Sequence, residues 1–154
     1  RRVLFRSSCI IDYLSVKKIV VFLYIYYYYM TCFWDGILNK LTPQDFSSYH
    51  IKKPNNKNFV NFLQKHNMNT NMIKWNDTIL SEQQMNEHFT HIKDFQVKSI
   101  YGGYFCSTFE PFLFLICQLL KVNIDHCYCG IVMKYRYPNG IRVLKFKSNK
   151  NHFT

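Results

Sequence analysis

Phe112-Leu113-Phe114-Leu115-Ile116-Cys117-Gln118-Leu119-Leu120 is apolar nearly all round. A helix that is hydrophobic on every side has to be buried. The stretch therefore predicts the central helix of the domain, with Cys117 inside it as an inert core thiol. Just before it, Ser107 and Glu110 have capping-box spacing, and Pro111 is tolerated in a first turn. Just after it the period drops to two. Val122 and Ile124 alternate with Asn123 and Asp125, and Ile131, Met133, Tyr135 and Tyr137 alternate with Val132, Lys134 and Arg136. Pro138-Asn139-Gly140 is the best hairpin signal in the chain, because Asn-Gly accepts the positive φ angles of a type I′ turn. Ile141 to Lys147 then reads as the returning strand, and a polar turn, Ser148 to Asn151, delivers His152-Phe153.

Upstream the period is helical. Phe33, Ile37 and Leu41, with Trp34 and Leu38 alongside, give one broad apolar face to a helix that Cys32 opens. Thr42 and Pro43 fit an N-cap and first position of a short helical turn. Ser47 to Asn56 is polar and reads as irregular. Phe59, Val60, Phe62 and Leu63 mark a helix capped from Asn55 or Asn56, and Ile73-Lys74-Trp75 a brief strand or packed loop. Ser81 and Gln84 form a capping box for a helix to about Asp94 that should bury Met85, Phe89 and Ile92. Tyr101-Gly102-Gly103-Tyr104 is a turn. Helices first and strands last predict an α+β domain, with helices packed on a small antiparallel sheet.

Among 154 residues, 48% are hydrophobic and 18% aromatic, enough to bury one sizeable core and too apolar for a disordered tail. The net charge is +11, which on its own suggests a polyanionic partner. Residues 1–29 hold five of the basic side chains against Asp12, which leaves 15 basic and 8 acidic side chains for residues 30–154. These are scattered, with no run longer than Lys52-Lys53, so a solvated surface is the better reading and no nucleic acid is expected. Six irregularly spaced cysteines without a convincing secretory signal argue for free thiols in a reducing, cytoplasmic compartment. Abundant Asn, Lys, Ile, Tyr and Phe point to an AT-rich genome, such as that of a large DNA virus or a protist.

Residues 1–29 are set apart as an untrusted extension. Arg1 to Ser7 resembles the in-frame translation of a sequencing adaptor. Residues 19–30 (IVVFLYIYYYYM) are shorter than the ~20 residues needed to span a bilayer, and four consecutive tyrosines are too polar for its centre. Upstream translation in frame, with Met30 as the start, is favoured over a buried strand or a membrane anchor. The domain proper is then 30–154.

Chemistry concentrates on two residues. A thiol at a helix start needs a base to become a nucleophile, and histidine suits that task at neutral pH. Unpaired N–H groups and the macrodipole at a helix N-terminus favour a thiolate there. Cys32 opens a helix and His152 opens a late strand flanked by an aromatic, the layout of papain-like cysteine proteases. Taken singly, Cys32 beside Phe and Trp reads as a core cysteine and His152 as a surface histidine; the joint placement raises the pair. His126-Cys127-Tyr128-Cys129 with Cys106 suggests zinc, but C-x-C without a second pair lacks the usual ligand spacing. His88 and His91 lie three apart and read as a solvated pair. No metal and no cofactor are expected.

As a set, these residues resemble the ovarian-tumour (OTU) family of cysteine deubiquitinases. Cys32-Phe33-Trp34 resembles the opening of that family's nucleophile helix. Tyr101-Gly102-Gly103, Glu110, Leu113 and Leu120 resemble its aromatic-Gly-Gly segment and Glu-containing helix. Val122-Asn123-Ile124 and His152-Phe153 resemble the strand and the His-aromatic pair that follow. The resemblance spans about residues 30–154. It implies an OTU-like fold and cleavage of peptide or isopeptide bonds of ubiquitin or a ubiquitin-like modifier. Cys32 would be the nucleophile, His152 the base, and the backbone N–H groups of Cys32 and Thr31 the oxyanion donors. The family places Asp three residues before its Cys, where this chain has Tyr29. It places Asp or Asn two residues after its His, where this chain has Thr154 as the candidate orienting residue. The alternative is an OTU-like module that binds without turnover.

Overall fold

The computed structural model describes residues 31–149 and 152–154. The readings placed on residues 1–30, including the candidate anchor, lie outside the described residues. Element order is α1 (Cys32–Lys40), a 3-10 turn (Pro43–Tyr49), α2 (Asn56–Lys65), β1 (Lys74–Trp75), β2 (Thr78–Ile79), α3 (Glu82–Asp94), a second 3-10 turn (Val97–Gly102), α4 (Pro111–Leu120), β3 (Asn123–Tyr128), β4 (Ile131–Arg136) and β5 (Val143–Ser148). The fold is α+β, with helices against a five-stranded mixed sheet. No helix among the described residues is long and apolar enough to cross a membrane.

Local sequence chemistry sets the helix starts. Thr42 and Asp45 form a capping box, with Pro43 at the first position. The Asn55 side chain accepts from the Asn58 N–H, and Ser81 and Gln84 satisfy each other's backbone donors. Each such cap satisfies N–H groups that have no intrahelical partner and contributes on the order of 1 kcal/mol. On α4, Phe112 to Cys117 are all fully buried, and the helix packs on β3 and β4. Glu110 itself is the N-cap of α4, so the Ser107–Glu110 spacing lies one turn ahead of the helix.

Two expectations about the strands and two about α3 are corrected. The sheet is mixed rather than antiparallel, in the order β2-β1-β4-β3-β5, and β5 runs parallel to β3. Pro138-Asn139-Gly140 turns the chain but does not join a hairpin. Only Asn139 of the Asn-Gly pair is left-handed, and the loop carries the chain past β3 to its far side. Gly140 is needed there for close approach: a Cβ would lie 2.6 Å from the Asn123 side chain, which also accepts from the Tyr137 N–H. The hairpin is β3–β4, closed by Cys129-Gly130 with φ of 47° and 88°, the paired positive angles of a I′ turn. On α3 the buried face is His88 and Ile92 with half-buried Met85, while Phe89 is 39% exposed. His88 packs its ring on Phe109 and Phe114, so it is a core histidine and not half of a solvated pair.

The crossover loop is held to the first 3-10 turn by an ion pair. The Arg142 guanidinium donates to the Asp45 carboxylate, whose side chain is only 3% exposed and which also accepts from the Thr42 N–H and hydroxyl. Arg142→Ala would leave that carboxylate buried without its countercharge. The expected loss is about 2–3 kcal/mol, read as a lower urea midpoint at unchanged slope. Arg142→Lys should recover part of it. A midpoint within error of wild type for Arg142→Ala would mean that the pair contributes nothing.

Candidate functional site

α1 presents two faces. Phe33, Trp34, Ile37 and Leu38 are buried. Cys32, Asp35, Gly36, Asn39 and Lys40 follow helical spacing along the other side and line a cleft of about 230 Å³. The opposite wall of that cleft is residues 152–154, so Cys32 and His152 share it. Both are half-buried, and Cys32 stands in the first turn of α1.

The start of α1 is tied down by Asp35. One carboxylate oxygen accepts from the Thr31 hydroxyl at 2.5 Å and the other from the Asn56 amide at 2.7 Å, which links the starts of α1 and α2. Thr31 itself is buried, 8% exposed, immediately before Cys32.

The His152 segment is set by backbone pairing to β5. The His152 N–H donates to the Asn149 side chain, and the His152 carbonyl accepts from the Asn149 N–H. Phe153 bridges Ser148, and Thr154 exchanges two backbone hydrogen bonds with Lys147. The Phe153 ring, 3% exposed, fits among Phe33, Phe146 and His126, with centroids at 4.9, 5.0 and 5.4 Å. The Thr154 hydroxyl, the candidate orienting group, donates to the Lys147 carbonyl at 3.3 Å.

A second thiol–imidazole pair lies behind the cleft. His126 Nε2 is 2.6 Å from the Ser148 hydroxyl and 4.0 Å from Cys106 Sγ. This pair is poorly suited to nucleophilic catalysis. Burial pushes the Cys106 thiol far up, and the Glu110 carboxylate beside it adds to the shift. Burial likewise pulls His126 down to about 4, which keeps the ring neutral. The neighbouring β3 residues do not complete a metal site. Strand alternation puts His126 in the core and Cys127 on the opposite face, and Cys129 sits exposed in the turn. No group of three or more His, Cys, Asp or Glu side chains suited to an ion occurs among the described residues.

Glu110 is fully buried beneath the aromatic cluster that supports α1. Its carboxylate accepts from the Tyr104 hydroxyl at 2.7 Å, the Ser107 N–H at 3.1 Å and the Phe112 N–H at 3.2 Å. Burial outweighs those bonds and pushes its pKa up to about 7. Tyr104 in turn stacks on Phe33 and Trp34, at 4.5 and 5.3 Å. The carboxylate thus reaches the Cys32 helix through a single phenol.

Sequence reading singled out Cys32, His152, Thr31 and Thr154, and all four fall at or beside the cleft. It missed Asp35 and Gly36. Their positions three and four after Cys32 put them on the thiol's side of the helix, a signal available from spacing alone. Comparison of the chain with protein-family models, with curated proteins and with solved structures finds no match.

Proposed function

We propose that this chain is an OTU-like cysteine hydrolase of papain-like design that cleaves peptide or isopeptide bonds of ubiquitin or a ubiquitin-like modifier. The observation that carries the reading is the shared cleft: a thiol in the first turn of α1 and an imidazole on the segment that pairs with β5 line it together. His152 takes the Cys32 proton, and the thiolate attacks the scissile carbonyl. The tetrahedral oxyanion is held by the N–H groups of Cys32 and Thr31. The C–N bond then breaks as His152 returns the proton to the leaving amine, and water hydrolyses the thioester. No cofactor enters this scheme. The five cysteines among the described residues are all unbridged, which suits the cytoplasm, of a host cell if the chain is viral.

A second reading, an OTU-like module that binds the modifier without turnover, is favoured by one observation. The candidate orienting group is the neutral hydroxyl of Thr154, a weaker acceptor for an imidazole N–H than a carboxylate, and it is held on the Lys147 carbonyl. A ubiquitin probe with a C-terminal electrophile separates the two. Covalent labelling that disappears in Cys32→Ala is the expected result. Tight binding without labelling would replace the hydrolase with the module, and neither binding nor labelling would remove both.

A further inference from the structure

We infer that Gly36 is a positioning residue, its missing side chain setting how closely the His152 segment approaches Cys32. The inference rests on the hydrolase reading above and concerns the geometry of that site. Gly36 stands in the middle of α1, where glycine is the poorest helix former after proline, so local propensity gives no reason for it. Packing does. A Cβ on Gly36 would lie 2.8 Å from Cδ1 and 3.2 Å from Cε1 of Phe153, closer than such atoms pack. Something would have to shift.

The helix is the harder part to move. Its other face buries Phe33, Trp34, Ile37 and Leu38, and its start is tied to α2 through Asp35 and Asn56. The Phe153 ring is itself hemmed by Phe33, Phe146 and His126 and borders only the cleft. The displacement therefore passes into the backbone of residues 152–154, which carries the imidazole. Gly36 is four residues after Cys32 and lines the same cleft, so the segment is pushed away from the thiol's own side of the helix. A misplacement of about 1 Å at a reacting pair is enough to lower rates by about 100-fold.

The test is a cycle of Gly36→Ala, Phe153→Val and the double variant, with His152→Ala as reference. Two readouts are used: labelling by the ubiquitin electrophile probe, and alkylation of Cys32 by iodoacetamide across neutral pH. The second needs no modifier. Gly36→Ala should label ~10- to 100-fold more slowly and lose the part of Cys32 alkylation that His152→Ala also removes, with kcat rather than KM affected. In the Phe153→Val background, where Cδ1 and Cε1 are both gone, Gly36→Ala should change either rate less than about threefold. Wild-type rates in Gly36→Ala, with His152→Ala slow, would overturn the inference and leave the hydrolase reading standing. Wild-type rates in His152→Ala would overturn the hydrolase reading itself. If Gly36→Ala alone does not fold, the double variant decides. Rates matching Phe153→Val support the inference, and rates about tenfold lower, or failure to fold, overturn it.

Discussion

His152→Ala should lower kcat/KM on a fluorogenic ubiquitin C-terminal amide by about 1,000-fold or more, with the folded structure intact. In a thiol hydrolase the histidine acts twice, once to take the nucleophile's proton and once to protonate the departing amine, and general acid–base groups contribute about 100- to 10,000-fold. His152 is half-buried beside the cleft, and its backbone bonds to Asn149 do not depend on the ring. Near-ultraviolet circular dichroism should therefore match wild type while turnover falls. A loss below about tenfold would take the base role from His152 and the hydrolase reading with it. His126→Ala is the informative contrast. That ring is fully buried among Ser148, Cys106 and Phe153. Its removal should destabilise the fold far more than it slows the chemistry of whatever stays folded.

Glu110→Ala should cost on the order of 3–5 kcal/mol, a large share of the 5–15 typical of a domain. The carboxylate caps α4 and accepts from Tyr104, Ser107 and Phe112; truncation strands the buried Phe112 N–H and the half-buried Tyr104 hydroxyl and releases the N–H of exposed Ser107. Glu110→Gln keeps the shape and reports on charge. Folding raises the Glu110 pKa from 4.5 to about 7, so the folded chain holds the proton more tightly, and this group's contribution is lost as pH rises between those values. Burial lowers His88 and His126 from 6.5 to about 4, and their contribution runs the other way, lost as pH falls through that window. Between about pH 4.5 and 6.5 the glutamate opposes the two histidines. Removing its charge in Glu110→Gln should therefore make acid destabilisation steeper than in wild type. Urea midpoints taken across that range check the sign, and parallel curves for the two proteins would show that Glu110 does not titrate there.

The parts of the fold set by near neighbours could be read from the sequence. Thr42 with Asp45, Asn55 with Asn58, and Ser81 with Gln84 lie within one turn of each other, so the three helical starts were legible. The all-apolar run of α4 left it only one place to go. Pairings across the sheet were not legible in that way. Asn139-Gly140 has the residues of a hairpin turn, but its glycine answers to Asn123, a residue 17 positions earlier that the loop happens to cross. The working turn, Cys129-Gly130, was hidden because a cysteine in the left-handed region is unusual. On α3, positions 85, 88 and 92 and positions 85, 89 and 92 satisfy helical spacing equally well. Only the aromatic shelf of Phe109 and Phe114 decides for His88. At the cleft, chemistry-bearing residue types pointed to Cys32 and His152, whereas Gly36 carries no chemistry and becomes visible only through what its absent side chain would strike.

The pairing of Phe153 and Thr154 with Ser148 and Lys147 has a further effect on how the molecule behaves in a crowd. Among the described residues β5 is the last strand in the sheet, and an unguarded outer strand offers its open amides and carbonyls to any passing chain. Here residues 152–154 occupy part of that row, while Lys145 holds an exposed charge on the rest. The segment that carries the imidazole thus doubles as a lid on a sticky rim. Molecules trimmed ahead of residue 152 should clump more readily than the intact chain.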